Sequence, residues 1–508
     1  MKSSANLLRK RGKKLPDFAT PVGLAGNWRN FVPLAVILAF LGCAVSPPRV
    51  QSVPATAPAP AVAWAPPTPA AAIPEKTGRI IPIEQVRDKL GKFTLADAVH
   101  IALQNNPATR VAWADARAAA ARYGSARGAW YPKVDLNGTL YYEKDITTKD
   151  QPGGSSTDIS ATASLSYLLF DFGGRSAVVE ESRQSLLAAD WTQNAVMQNT
   201  VLQAEMAFFN QAGAKALLEA YRTSLAEAEA NLTAAEERHR MGLATMADVL
   251  QAKTAFAEVK LAVLDTEGQV RTAKGALAVA MGYAANISFN PEIEVPEIPR
   301  GGLAQTVDQL IKKALASRPD LQASQALALG SAAKVREARS RMLPSFFATG
   351  SIGRLWLKDV PGYTNSTIGA LQLQIPIFNG FSRNYDLLQA QAEAEAARER
   401  ARNAEQTVIF QVFSTHSEFL TADERVKTTD DLVASAGQSE TVALGRYREG
   451  VGSILDLLSA QRVLAVARAE QINARLGWFI KLAQLAHDVG ILGLPGDNSL
   501  AAAAILSR

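Results

Sequence analysis

Four histidines and one cysteine are all that this chain offers to metal or thiol chemistry. His100, His239, His416 and His487 are scattered, with no spacing that would gather ligands around a metal. A lone Cys43 excludes a disulfide framework and a Cys-rich zinc or iron–sulfur site. No G-x-x-x-x-G-K-[ST] loop occurs to cradle phosphates, and no G-x-S-x-G elbow to present a nucleophile. Neither catalysis nor a cofactor is expected. The residues that do recur at fixed spacing are of another kind. Gly242-Leu243-Ala244-Thr245 and Gly450-Val451-Gly452-Ser453 read as tight reversals, each with an Asp six residues after its first Gly, Asp248 and Asp456. Gly permits the positive φ of such a turn, and Thr245 or Ser453 can N-cap the helix that returns. The spacing puts both carboxylates about two turns up the returning helices. There they can be solvated side chains that favour a helix N-terminus, or they can meet a donor. Tyr447, three residues before Gly450, carries a hydroxyl able to donate to a carboxylate.

Such tips need long arms. From Arg175 to Arg240 there is no Pro and one Gly, in a sequence rich in Ala, Leu, Gln and Glu. At about 1.5 Å per residue this is a helix near 100 Å long. Its partner, Thr245–Met281, is shorter, and a helix over Ala108–Ala129 makes up the difference. The whole pattern occurs twice. Pro107 and Pro319 are 212 residues apart, as are Pro132 and Pro344. Gly242 and Gly450, Asp248 and Asp456, and Gly282 and Gly490 are each 208 apart. The second half therefore predicts Leu321–Arg341, Arg383–Arg448 and Ser453–His487 as helices, with coiled-coil-type packing. Between the helices lie stretches of strict alternation. Val134, Leu136, Leu140 and Tyr142 share one face, and Asp135, Asn137, Thr139 and Glu143 the other. Ile159 to Tyr167 alternates likewise, as do Phe346–Leu357 and Thr367–Ile377. These read as two hairpins with the apolar-out, polar-in pattern of membrane β-strands. Four strands cannot close a barrel, so if they span a membrane several chains must share one.

The chain has 508 residues, 48% hydrophobic and 20% charged, enough for roughly three domains. Its net charge of +5 belongs to the N-terminus. Lys2, Arg9, Lys10, Arg11, Lys13, Lys14 and Arg29 stand against Asp17 there, so the remainder is close to neutral and gives no support for nucleic-acid binding. Residues 1–42 have the basic and apolar parts of a secretory signal. Leu41-Gly42-Cys43-Ala44 resembles a bacterial lipoprotein cleavage site, which implies an acylated Cys43 as the first mature residue. Residues 43–93 then read as a lipid anchor and Pro/Ala-rich, extended spacer, with folded structure from near Thr94. The expected division continues with a first repeat half at 94–282 and a linker at 283–305. A second half at 306–490 and a C-terminal tail at 491–508 complete it.

The duplication, the Asn106-Pro107 and Arg318-Pro319 breaks, the turns at Pro132 and Pro344 and the two hairpin tips together resemble the TolC-like outer-membrane factors. The resemblance covers Thr94–Gly490. It implies a mainly α fold with a small β membrane portion, in which three chains share a 12-stranded barrel joined to a helical tunnel. It implies passive export, driven by an inner-membrane pump through a periplasmic adaptor, from the outer membrane across the periplasm. The adaptor is expected at Gly242, Leu243, Thr245, Gly450, Val451 and Ser453. A periplasmic gate is expected at Asp248, Tyr447 and Asp456, with a Tyr447–Asp248 link and a ring of Asp456 carboxylates. Gly452 and Ser459 stand where the best-known members can carry a linking Arg and a second ring Asp. Small-molecule efflux is the leading reading and a type I secretion duct the alternative. A periplasmic coiled-coil adaptor would leave the amphipathic strands unexplained.

Overall fold

A computed structural model describes residues 56–57, 59–65, 82, 93–144, 155–287, 293, 297–299, 305–357 and 361–492. The signal segment and Cys43 lie outside these residues, as does the tail after Leu492. The same six elements follow one another twice. The first series is α1 (Leu95–Asn105), α2 (Pro107–Gly128), β1 (Lys133–Lys144), β2 (Ser155–Phe170), α3 (Gly174–Arg240) and α4 (Met246–Ala280). The second is α5 (Val307–Ser317), α6 (Pro319–Ser340), β3 (Ser345–Leu357), β4 (Thr364–Gln374), α7 (Ser382–Arg448) and α8 (Ile454–Val489). Both long helices, α3 and α7, run unbroken for 67 residues.

The short helices end where the sequence breaks them. Pro107 and Pro319 open α2 and α6 in the first turn, where a missing N–H loses no hydrogen bond. Asn106 bridges the first break: its Oδ1 accepts from the Ala108 amide at 2.9 Å and its Nδ2 donates to the Ala280 carbonyl at 3.2 Å. Arg318 holds the second break differently. Its guanidinium donates to both Asp320 oxygens at 2.9 and 2.6 Å, to Gln411 Oε1 at 2.6 Å and to the Asp488 carbonyl at 3.3 Å. Burial is the largest single influence on Asp320 and opposes its charge, but the hydrogen bonds and charge of Arg318, together with backbone amides, outweigh it and lower that carboxyl's pKa. Against each break packs the glycine that ends the returning helix. A Cβ on Gly282 (φ 82°) would lie 2.7 Å from the Asn105 carbonyl carbon, and one on Gly490 (φ 80°) 3.0 Å from the Arg318 nitrogen. Both sites demand a left-handed residue with no side chain.

The main apolar core surrounds these two joints and is shared by both halves. Phe209 of α3 stacks on Phe479 of α8 at 4.9 Å, and Trp478 stands edge-on to Phe479 at 5.1 Å. The linker expected at 283–305 is tied to this core by Tyr283, Ile287, Ile293 and Ile298, and Ile293 forms a parallel bridge with Phe93.

The Pro/Ala-rich segment departs from expectation. Rather than serving only as a spacer, residues 56–57 and 59–65 strap across α2 and α3. Trp64 is buried edge-on to Trp191 at 5.2 Å. Its amide donates to Asn194 Oδ1 at 2.7 Å, and its carbonyl accepts from Asn194 Nδ2 at 2.8 Å. Gln193 Nε2 donates to the Val62 carbonyl and Trp113 Nε1 to that of Ala57. A Pro-rich segment pairs few of its own backbone groups, and helix side chains supply partners here.

One turn before Asn194, Asp190 is fully buried, and neither carboxylate oxygen has a hydrogen-bond partner. Burial pushes its pKa up to about 8, and that of Glu205 to about 7. The folded chain therefore keeps protons that unfolded carboxylates release above about pH 4. Stability then falls as pH rises through these folded-state pKa values. Asp190→Asn should flatten the fall in Tm between about pH 5 and about pH 8; an unchanged slope would show that Asp190 ionises freely in the fold.

Candidate functional site: a two-faced sheet and paired helical tips

The four strands form one antiparallel sheet in the order β1-β2-β3-β4. Their register places Leu140 beside Ile159 and Trp356, and Leu136 beside Ala163 and Ile352. That face is apolar and open: Val134, Leu136, Leu140 and Tyr142 are 64–75% exposed, and Leu371 is 82% exposed. On the opposite face Asp135 pairs with Ser164, Asn137 with Thr162, Thr139 with Ser160 and Glu143 with Ser156. Strand β4 is set three residues earlier than its alternation indicates, at Thr364–Gln374, with Pro376 just beyond it unable to donate to a ladder. An open apolar sheet face of this size calls for an apolar solvent. Among the described residues no helix is long and apolar enough to cross a membrane. The apolar face of the sheet is the surface suited to lipid, and among the described residues its outer strands β1 and β4 each present an edge with no further strand beside it.

At the far ends of the long helices the two hairpins close as expected, with Gly242 at φ 73° and Gly450 at φ 75°. Thr245 and Ser453 N-cap the returning helices α4 and α8. The tip carboxylates sit differently from the spacing estimate. Helices α4 and α8 begin at Met246 and Ile454, so Asp248 and Asp456 lie in the first turn, not two turns up. Each completes a capping box. Asp248 Oδ2 accepts from the Thr245 amide at 2.8 Å and its hydroxyl at 2.9 Å, while Asp456 Oδ2 accepts from the Ser453 amide at 3.4 Å. Tyr447 is buried, and its hydroxyl has no hydrogen-bond partner, so the Tyr447–Asp248 link is not made within this chain. What holds Tyr447 is Arg238, which the sequence reading did not single out. Its guanidinium lies 4.7 Å from the Tyr447 ring centre, and Nη1 donates to the Tyr447 carbonyl at 2.9 Å. Asn231 Nδ2 donates to Gln461 Oε1 at 2.6 Å in the same region, so both hairpins form one unit. The available signal was repetition: Arg238 and Arg446 both stand four residues before the turn glycine. At the turns themselves Met241, Leu243 and Val451 are exposed.

A lipid-facing sheet segment mounted on long paired helices defines the protomer of an outer-membrane channel. The family model described as "Outer membrane efflux protein" matches residues 98–283 and 310–490, one stretch in each half, and the chain belongs to that family. It is similar to Protein CyaE of Bordetella pertussis, with 28% identity over 96% of this chain and 98% of that protein. It is also similar to the antibiotic efflux pump outer membrane protein ArpC of Pseudomonas putida, with 25% identity over 75% of this chain and 80% of that protein. The fold matches the crystal structure of the Campylobacter jejuni CmeC outer membrane channel with a TM-score of 0.73 at 18% identity, over 84% of this chain and 92% of that one. The fold class is thus the expected one, mainly α with a small β membrane portion. The protein resides in the outer membrane and extends into the periplasm, in a family of channels rather than enzymes.

The tip contacts predict unequal effects. Arg238→Ala should loosen the tip by about 1–2 kcal/mol, read as faster amide exchange around both turns. Tyr447→Phe removes only a buried, unpartnered hydroxyl and should be neutral or stabilising by up to about 1 kcal/mol. Equal destabilisation by both would mean that the hydroxyl finds a partner in the assembled protein.

Proposed function

We propose that three copies of this chain close one barrel and one tunnel, forming a duct that passively conducts small molecules from the periplasm to the exterior. The observation that carries this reading is the sheet with an open apolar face, a polar reverse and two free edges. Copies of the same chain would pair those edges and turn the polar face onto a water-filled lumen. The number three comes from the family resemblance. An inner-membrane pump supplies the energy, and a periplasmic adaptor docks at the hairpin tips built on Gly242, Thr245, Gly450 and Ser453. The name of the similar Pseudomonas protein, an antibiotic efflux pump component, supports small molecules as cargo, with a type I secretion duct as the alternative reading. Asp456, exposed in the first turn of α8, would recur three times around the axis as a cation-attracting ring. With Asp248 and Tyr447 it forms the candidate periplasmic gate. Cys43, outside the described residues, is the candidate lipid attachment.

Two experiments test this. Thr245 and Ser453 cap helices, so changing them would confound docking with folding; Leu243 and Val451 are the better probes. Leu243→Asp combined with Val451→Asp should raise antibiotic or dye accumulation several-fold in cells while heat-resistant trimers form at normal yield. Unchanged efflux would remove the tips from the adaptor contact, and secretion of a polypeptide without any drug phenotype would assign type I secretion instead. Separately, Cys43→Ser should abolish labelling by a fatty-acid analogue; labelling that survives refutes the anchor.

A further inference from the structure

The second residues of the two long helices, Arg175 of α3 and Arg383 of α7, stand at equivalent positions 208 residues apart. Both border one niche of about 400 Å³ where the sheet passes into the helices. Arg175 is 8% exposed. Its Nη1 donates to the Leu168 carbonyl at 2.8 Å and to that of Ala129 at 3.3 Å, and its guanidinium carbon lies 3.8 Å from the Trp130 ring centre. These contacts fix the group in place but leave its Nε buried without a hydrogen-bond partner. Nη1 of Arg383 is likewise buried and unpartnered. A buried donor on a charged group is costly to leave unsatisfied, and here two of them flank the same cavity.

The carboxylates beside the niche are already engaged. Glu337 accepts from Arg341 Nη2 at 2.5 Å. Asp171 accepts from the amides of Gly173 and Arg175, one on each oxygen, and so caps the start of α3. Its counterpart in the second half is Asn379, which carries no charge. Among the described residues neither Arg175 nor Arg383 forms an ion pair. Strand register fixes the side of the sheet on which the niche lies. Leu168 pairs with Phe347 and Ser345 with Gln374, in the alternate positions that carry Thr162 and Ser164. All four of those residues line the niche, so it opens on the polar face. Leu168, Phe347 and Leu343 give it an apolar wall beside the two cations.

We propose that this niche is a transit site for organic anions, in which Arg175 and Arg383 hold the carboxylate, sulfonate or phosphate group of a passing solute and the apolar wall covers its hydrocarbon part. A guanidinium presents its donors in a planar fork that matches such oxyanions. Arg175 is held ready for this by Trp130 and two carbonyls, so little order is lost when an anion arrives. The inference rests on reading the sheet's polar face as the lumen of a duct. Each copy of the chain then contributes one niche at the level where barrel meets tunnel. Binding there is weak, because conduction requires a solute to leave as well as to enter.

The assembled full-length protein in planar bilayers carries the test, with benzenesulfonate as the probe. Benzenesulfonate should reduce the current saturably, whereas uncharged benzyl alcohol should not. Arg383→Gln should raise the half-saturating concentration about tenfold; an unchanged value overturns the site. Lys133 lies on the same sheet face outside the niche, 3.2 Å from Asp135. Lys133→Gln removes one positive charge there and should leave the value unchanged, so an equal rise would assign the block to the general field of the lumen and overturn the site. Inorganic phosphate as effective as benzenesulfonate would deny the apolar wall a role and overturn the organic class. Assembled protein that conducts no ions would remove the duct reading, and the site with it. Should Arg383→Gln fail to assemble, Arg383→Lys keeps the charge but loses the planar fork; it should weaken the block, and an unchanged block overturns the proposal.

Discussion

Every backbone N–H and C=O at the edge of a sheet needs a partner, and lipid supplies none. The rest of this structure follows from that obligation. Four strands leave two edges open, so the chain is incomplete as a membrane object until other strands cover β1 and β4. The strict alternation of the strands is the second half of the same constraint, since a one-residue slip would turn Asp135 and Glu143 into the bilayer. Long helices are then the economical way to leave the membrane. They satisfy their own backbones along their whole length and need neighbours only for their apolar stripes.

Duplication has conserved backbone geometry more closely than side chains. The bend between each pair of short helices is met by a left-handed glycine in both halves, with almost no clearance. Yet an amide bridges one bend and a buried, charge-paired guanidinium the other. Replacing both partners of a buried pair by a differently satisfied set is tolerable, whereas leaving one group unsatisfied is not.

Much of the fold was legible because its signals are local. Helix breaks at Asn106-Pro107 and Arg318-Pro319, turn glycines at Gly242 and Gly450, and period-two strands all declare themselves within a few residues. Boundaries fell within about four residues of the pattern, with β2 extended at both ends and β4 shifted by three. What could not be read depends on residues far apart in sequence. Composition marks the segment around Trp64 as a spacer, and only Asn194 and Gln193, some 130 residues away, turn it into a strap. Likewise Tyr447 looked like a donor to Asp248, because nothing local shows that Arg238 covers its ring or that Asp248 is occupied by its own cap.

Helices α3 and α7 each run 67 residues without an interruption, so neither contains a hinge. In α3 the aromatic core contact of Phe209 with Phe479 of α8 lies near mid-length, so the helix extends about equally toward the membrane and toward the tip. Over an arm of about 47 Å from that core to the tip, a tilt of only about 5° displaces the end by about 4 Å. In the proposed duct such a tilt would widen the bore at the tip without unwinding a single helical turn, and the work would lie in sliding one coiled surface past another against the contacts that clamp the hairpins together.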